Sequence, residues 1–247
     1  MKRTVLLGTF LMLAAVRLLA ATPGATEAPV PFEARYELRA NGIVVGERTL
    51  RLGRDGAGDF RLEALTEPRG LGKLFHARNL REFSRFRIEA GRLRPLEYDY
   101  RREGRKPRHV HLLFDWNARR VTNDIDGNRW QMPIPDGTLD KLLVQLAIAR
   151  DLASGDREAY RYAIADGGKL KTFRFVIEGS ETIETPAGRF ATVKLLRKRH
   201  DHDRTTRLWC ADRLGYLPVR ILQDEHEDAV RFESLLTRHV QGDRMSP

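Results

Sequence analysis

Long stretches of this chain alternate apolar and polar residues one for one, and no other feature limits its fold so tightly. Phe32, Ala34, Tyr36 and Leu38 fall on one side, with Glu33, Arg35, Glu37 and Arg39 on the other. Only extended backbone sends successive side chains to opposite faces, so the pattern predicts half-buried strands. Asn41-Gly42 follows directly, a pair suited to a type I′ hairpin because both central positions need positive φ. The return strand is predicted over 43–52. After the glycine-rich turn at 53–58, the rhythm predicts further strands over 59–66, 79–88, 93–102 and 107–116, with a short return over 118–124. Further strands are predicted over 160–164, 173–178, 181–185, 191–198, 205–210, 217–223 and 230–236. Short strands at this spacing, broken by turn residues, predict an all-β, mainly antiparallel domain: a barrel or a half-open curved sheet.

One segment changes period. Leu139, Leu142, Leu143, Leu146, Ile148, Ala149 and Leu152 follow helical spacing. A single substantial helix is expected over 139–154, with Thr138 as N-cap and Gly155 as terminator, lying against the concave side of the sheet.

The first residues concern destination. Lys2 and Arg3 precede an apolar run over 4–16, and Ala20 and Ala21 follow. That is the layout of a secretory signal peptide, and the run is short for a membrane span. Residues 1–20 are read as the signal peptide, 21–31 as a flexible leader and 32–240 as one β-rich domain. The expected location is the periplasm. The alternative is an inner-membrane anchor made by an uncleaved segment, since Arg17 interrupts the cleavage region. With one cysteine, Cys210, there is no internal disulfide and no lipoprotein-type Cys at the cleavage point. Cys210 is read as a buried, inert thiol.

The formal net charge is +10, which suits anionic partners. Export argues against nucleic acid and leaves lipid headgroups or other anionic envelope molecules. No protein partner can be named from the sequence. Gly-x-Ser-x-Gly, His-Glu-x-x-His and phosphate-loop patterns are absent. His109-Val110-His111 and His200-Asp201-His202 could each aim two imidazoles one way from a strand. They support a metal-dependent hydrolase only as an alternative, because the first pair lies opposite an apolar stripe. That stripe, Val110, Leu112, Phe114 and Trp116, is the candidate ligand-binding surface. No catalytic residue, metal site or cofactor is assigned.

The sequences Phe114-Asp115-Trp116, Thr185-Pro186-Ala187-Gly188-Arg189-Phe190-Ala191-Thr192-Val193-Lys194, and Leu214-Gly215-Tyr216-Leu217-Pro218-Val219-Arg220-Ile221 resemble the bacterial domain-of-unknown-function family 3108. The resemblance runs from about Phe32 to Leu236. It implies an exported envelope protein with a curved sheet partly wrapped around a helix, as in lipoprotein-carrier folds. It brings no catalytic residues. The leading expectation is a non-enzymatic carrier for an amphipathic envelope molecule, with a structural or interaction module as the alternative.

Overall fold

The computed structural model describes residues 28–56, 58–70, 79–104, 106–155, 158–198, 204–225 and 230–242. The signal segment, most of the leader, and His200 and His202 lie outside them. In chain order the strands are β1 Phe32–Ala40, β2 Ile43–Arg54, β3 Phe60–Pro68, β4 Leu80–Glu89, β5 Arg92–Arg102, β6 Arg108–Asp115, β7 Arg120–Ile125, β8 Asn128–Pro133 and β9 Leu139–Asp140. Helix α1, Val144–Ser154, follows. The chain then returns to strands: β10 Ala159–Asp166, β11 Lys169–Thr185, β12 Gly188–Lys198, β13 Arg204–Ala211, β14 Leu217–Glu225 and β15 Val230–Gln241.

All fifteen strands form one sheet, ordered β8-β7-β6-β5-β4-β3-β2-β1-β15-β14-β13-β12-β11-β10-β9. Every ladder is antiparallel except β9 with β10. Consecutive strands pair as hairpins from β1 to β8 and from β10 to β15, as alternation and turn chemistry dictate; β8 and β9 do not pair, and β9 reaches its parallel partner β10 through α1. The ladder of β1 with β15 joins the chain's two halves at the middle of the sheet. The sheet does not close: β8 and β9 are its edges. At the seam the Trp130 ring of β8 lies over Gly168 in the β10–β11 turn, where an added Cβ would overlap it.

The predicted turns form with the expected backbone. Asn41 and Gly42 have φ of 47° and 83°. Pro218 sits opposite Cys210 at a register shift in the β13–β14 ladder, so it is accommodated by a bulge. Tyr36 Oη donates to its carbonyl at 3.0 Å.

The inner face carries the alternating apolar set. Ala34, Tyr36, Leu50, Leu52, Leu62, Phe86, Tyr98, Leu112, Leu195, Leu208 and Leu236 are buried there with the helix residues Leu146, Ile148 and Leu152. Helix α1 packs against β10 and β14. It is shorter than expected. Residues 139–140 form the short strand β9, and Thr138 does not cap it. Thr138 Oγ1 instead donates to Pro135 O at 2.8 Å, closing the preceding turn. Asp140 braces the turn ahead of the helix, with Oδ1 accepting from the amides of Leu142 and Leu143 at 2.8 and 2.9 Å, while the N-cap position, Leu143, supplies no side-chain bond. The Leu139–Leu143 part of the apolar stripe is thus a strand and a turn, each burying leucines at spacings that mimic a helix. Gly155 ends the helix at φ 81°, as expected. The long strand β11 also replaces two predicted ones, its continuity kept by an irregularity between Ile177 and Gly179.

Candidate ligand-binding site

Between α1 and the concave face lies a cavity of about 560 Å³, open to solvent on one side. The helix contributes Val144, Gln145 and Ile148 to its wall. The sheet contributes apolar side chains from both halves of the chain, among them Tyr100 of β5, Phe173 and Phe175 of β11, Leu208 of β13 and Ile221 of β14. Each sits on the inner face through the same two-residue period that places the core. The polar lining is asymmetric in charge: Arg48, Lys141, Arg197 and Arg204 against Glu82 and Asp166. Asp166 is held by Lys171 at 2.7 Å.

Two buried polar groups fix the wall where α1 begins. Glu82 of β4 is almost fully buried. Burial pushes its carboxyl pKa up, but the charges of Lys141 and Arg48 outweigh it, so the group is held below the ordinary value. Lys141 Nζ is 2.9 Å from Glu82 Oε1, Arg48 is 3.7 Å from Oε2, and Tyr98 Oη donates to Oε1 at 2.8 Å. Lys141 Nζ also stands 3.8 Å from the centre of the Tyr100 ring, a cation–π contact. Next on the same face, Ser84 Oγ donates to Asp140 Oδ2 at 2.6 Å. Burial raises the Asp140 carboxyl from 3.8 to about 6, although Ser84 and two amides stabilise its ionised form. Ser84 of β4 and Asp140 of β9 therefore pin the start of the helix to the far arm of the sheet.

Across the cavity, the Arg197 guanidinium lies 3.3 Å from the centre of the Phe173 ring. Arg204 and Thr206 continue the inner face of β13 toward the opening. Cations resting on aromatic rings beside aliphatic walls can hold an anionic head while apolar surface takes a tail. Alternation alone did not single these residues out. Charged residues on an otherwise apolar face, such as Arg48 between Leu50 and Gly46 or Glu82 between Leu80 and Ser84, are the signal that could have found them.

The sequence candidates are placed differently. Val110, Leu112 and Phe114 lie on the inner face and are buried, and Trp116 packs against the core. The Trp116 indole N–H donates to Pro95 O at 2.7 Å. None of the four lines this cavity. The histidines of the first pair lie on the opposite, outer face of β6, as the alternation predicts. His109 Nε2 donates to Asp99 Oδ2 at 2.6 Å and His111 Nε2 to Glu97 Oε1 at 3.0 Å, so each ring is tied to its own cross-strand carboxylate. Among the described residues, no group of three or more His, Cys, Asp or Glu side chains is placed to hold a metal.

The chain belongs to the family described as Protein of unknown function (DUF3108), whose pattern matches residues 35–231. Its fold is similar to that of a solved β-barrel-like protein of the domain of unknown function DUF1849 from Brucella abortus. There the TM-score is 0.56 at 9% identity, over 87% of this chain and 98% of that one. A protein with a YmcC-like fold from Bacteroides fragilis aligns with TM-score 0.31 and 12% identity, over 86% of this chain and 96% of that one. No curated protein matches the sequence. The likeness to the Brucella abortus protein, at 9% identity, speaks for the β-barrel-like fold alone.

Proposed function

We propose that this protein is a non-enzymatic carrier of the bacterial periplasm that holds an amphipathic, anionic molecule, such as a lipid or lipid-linked intermediate, in the cavity between α1 and the sheet. The observation that carries the reading is the composition of that cavity. Its volume of about 560 Å³ falls within the ~300–1,000 Å³ of small-molecule sites. Four cationic side chains face two carboxylates there, beside Phe173, Phe175, Leu208 and Ile221. The periplasmic location is supported by the charged, apolar and small-residue sequence of 1–21. Among the described residues no helix is long and apolar enough to cross a membrane.

The test is native mass spectrometry and solvent extraction of protein purified from its own periplasm, followed by titration with phosphatidylglycerol. An adduct that survives native conditions and is extracted as an anionic amphiphile is expected. Replacing Arg197 and Arg204 together by Gln should weaken phosphatidylglycerol retention about tenfold, as expected for loss of charge-assisted contacts. Protein that carries no amphiphile and takes up none would replace the carrier by an interaction module.

A further inference from the structure

Of the seven exposed large apolar side chains among the described residues, three lie close together in the sheet. Ile43 and Val44, at the tip of the β1–β2 hairpin, are 52% and 37% exposed, and Phe232 of β15 is 41% exposed. The register makes Ile43 and Phe232 neighbours on one face, since Ala40 pairs with Ile43 on one side and with Phe232 on the other, while Val44 pairs with Arg39 on the opposite face of the same tip. Asn41 fastens the arrangement, its N–H donating to Arg231 O at 2.9 Å and its Oδ1 accepting from the Arg231 amide at 2.8 Å. Hairpin tips are normally polar, so an Ile-Val pair directly after Asn-Gly is not explained by turn formation.

This lip is continuous with the cavity. Phe232 pairs with Gln223, and Gln223 with Thr206. Gln223, Thr206 and Ser234 all line the cavity wall. The apolar lip on β1, β2 and β15 thus borders, through the polar side chains Gln223, Thr206 and Ser234, on the cavity wall.

We infer that the Ile43–Val44–Phe232 lip docks the domain on an anionic lipid bilayer, with the cavity mouth at the membrane surface. Three side chains cannot bury the ~1,200–2,000 Å² of a stable protein interface, which argues against a second copy or a folded partner. Their size suits insertion at the headgroup boundary, where few apolar groups and a basic surface act together. The formal net charge, +10 for the full chain and +7 without Lys2, Arg3 and Arg17 of the predicted signal segment, supplies the second element. Arg231 stands next to Phe232, paired with Asp224 yet 66% exposed, and Arg39 lies opposite Val44. Docking gives the proposed carrier a route for its ligand and rests on that reading for its purpose. It is measured separately.

The test uses the full chain with a single added cysteine carrying an environment-sensitive fluorophore. Cys210 is fully buried and does not compete for label. Ile43→Cys reports on the lip, and Asn117→Cys reports on the β6–β7 turn at the other end of the strands. With vesicles of phosphatidylglycerol and phosphatidylcholine, the label at 43 should shift to the blue and the label at 117 should not. With the label moved to Val45→Cys, adding Phe232→Ser and Val44→Ser should lower vesicle partitioning about tenfold or more, given the apolar groups removed. An unshifted label at 43 overturns the inference, as does an equal shift at both sites. So does a label at 43 already blue-shifted without vesicles in a sample that runs as a dimer. The serine variants keep every cavity residue. If they retain amphiphile in native mass spectra but lose vesicles, the lip and the carrier reading are both upheld. If wild-type protein carries amphiphile but ignores vesicles, the lip alone fails.

Discussion

Asp140→Asn isolates the cost of a charge at the helix start. In the folded protein the Asp140 carboxyl is raised from 3.8 to about 6 by burial. Between those values the native state holds a proton that the unfolded chain has released. Stability therefore falls as pH rises through this window, and the loss is complete above it. A rise from 3.8 to about 6 amounts to about 3 kcal/mol at pH 7. Asparagine keeps the shape. Its Oδ1 can accept from the amides of Leu142 and Leu143, and its Nδ2 can donate to Ser84 Oγ. Asp140→Asn should thus match the wild type near pH 4 and exceed it at pH 7 by up to about 3 kcal/mol. Urea unfolding at pH 4, 5, 6 and 7 measures this, and the difference between the two proteins cancels most of the pH dependence of other groups. A variant less stable by a constant amount at every pH would refute the reasoning. It would mean that the Asp140 carboxyl titrates alike in the folded and unfolded chains, so that burial does not dominate its titration.

Three further outcomes follow from the geometry. Lys141→Met leaves Glu82 buried with Arg48 as its only remaining cation, and should cost about 2–4 kcal/mol at pH 7 in urea unfolding. Since Glu82 is held below its ordinary pKa, the ion pair contributes above about pH 4.5 and is lost as pH falls, so the variant's deficit should shrink in acid. Gly168→Ala sets a methyl into the Trp130 ring at a backbone φ of 78°, and should cost about 1–3 kcal/mol and shift the tryptophan emission. Cys210, whose thiol is pushed up to about 12 by burial, should resist a thiol reagent at pH 8 in native protein and react within minutes once unfolded.

Much of the fold was legible because alternation and positive-φ turns are local signals. Phe32 to Leu38, Asn41-Gly42 and Gly155 needed no tertiary knowledge. The helix start did not come through, since Leu139, Leu142 and Leu143 satisfy helical spacing while belonging to a strand and a turn. What decides there is the buried pairing of Asp140 with Ser84, 56 residues away. Strand β8 was missed although Asp126-Gly127, with φ of 53° and 88°, is a hairpin dipeptide; its exposed residues lack the alternation of a buried strand. The cavity was the least legible. The apolar stripe on β6 marked a core-facing strand, which alternation can show. Which core-facing residues border empty space depends on how α1 sits across the sheet, and no spacing encodes that. Lys141, Arg197 and Glu82 converge only once both arms have curled around the helix.

The ladder between β1 and β15 makes the last part of the chain indispensable to the first. The bond from Thr237 Oγ1 to Arg35 O closes a loop of 202 residues, whereas the neighbouring hairpins close within a few. The entropic cost of such closure grows only as the logarithm of length, to about 5 kcal/mol here. It must still be met before any gain from the contact is realised. Each arm can zip from its own turns as soon as it is free to fold. Until β15 emerges, however, β1 is a bare edge whose inner face carries Phe32, Ala34 and Tyr36. A chain stopped short of residue 230 therefore leaves β1 as an open edge, which makes the dozen residues of β15 the step that joins two open-edged fans into one sheet.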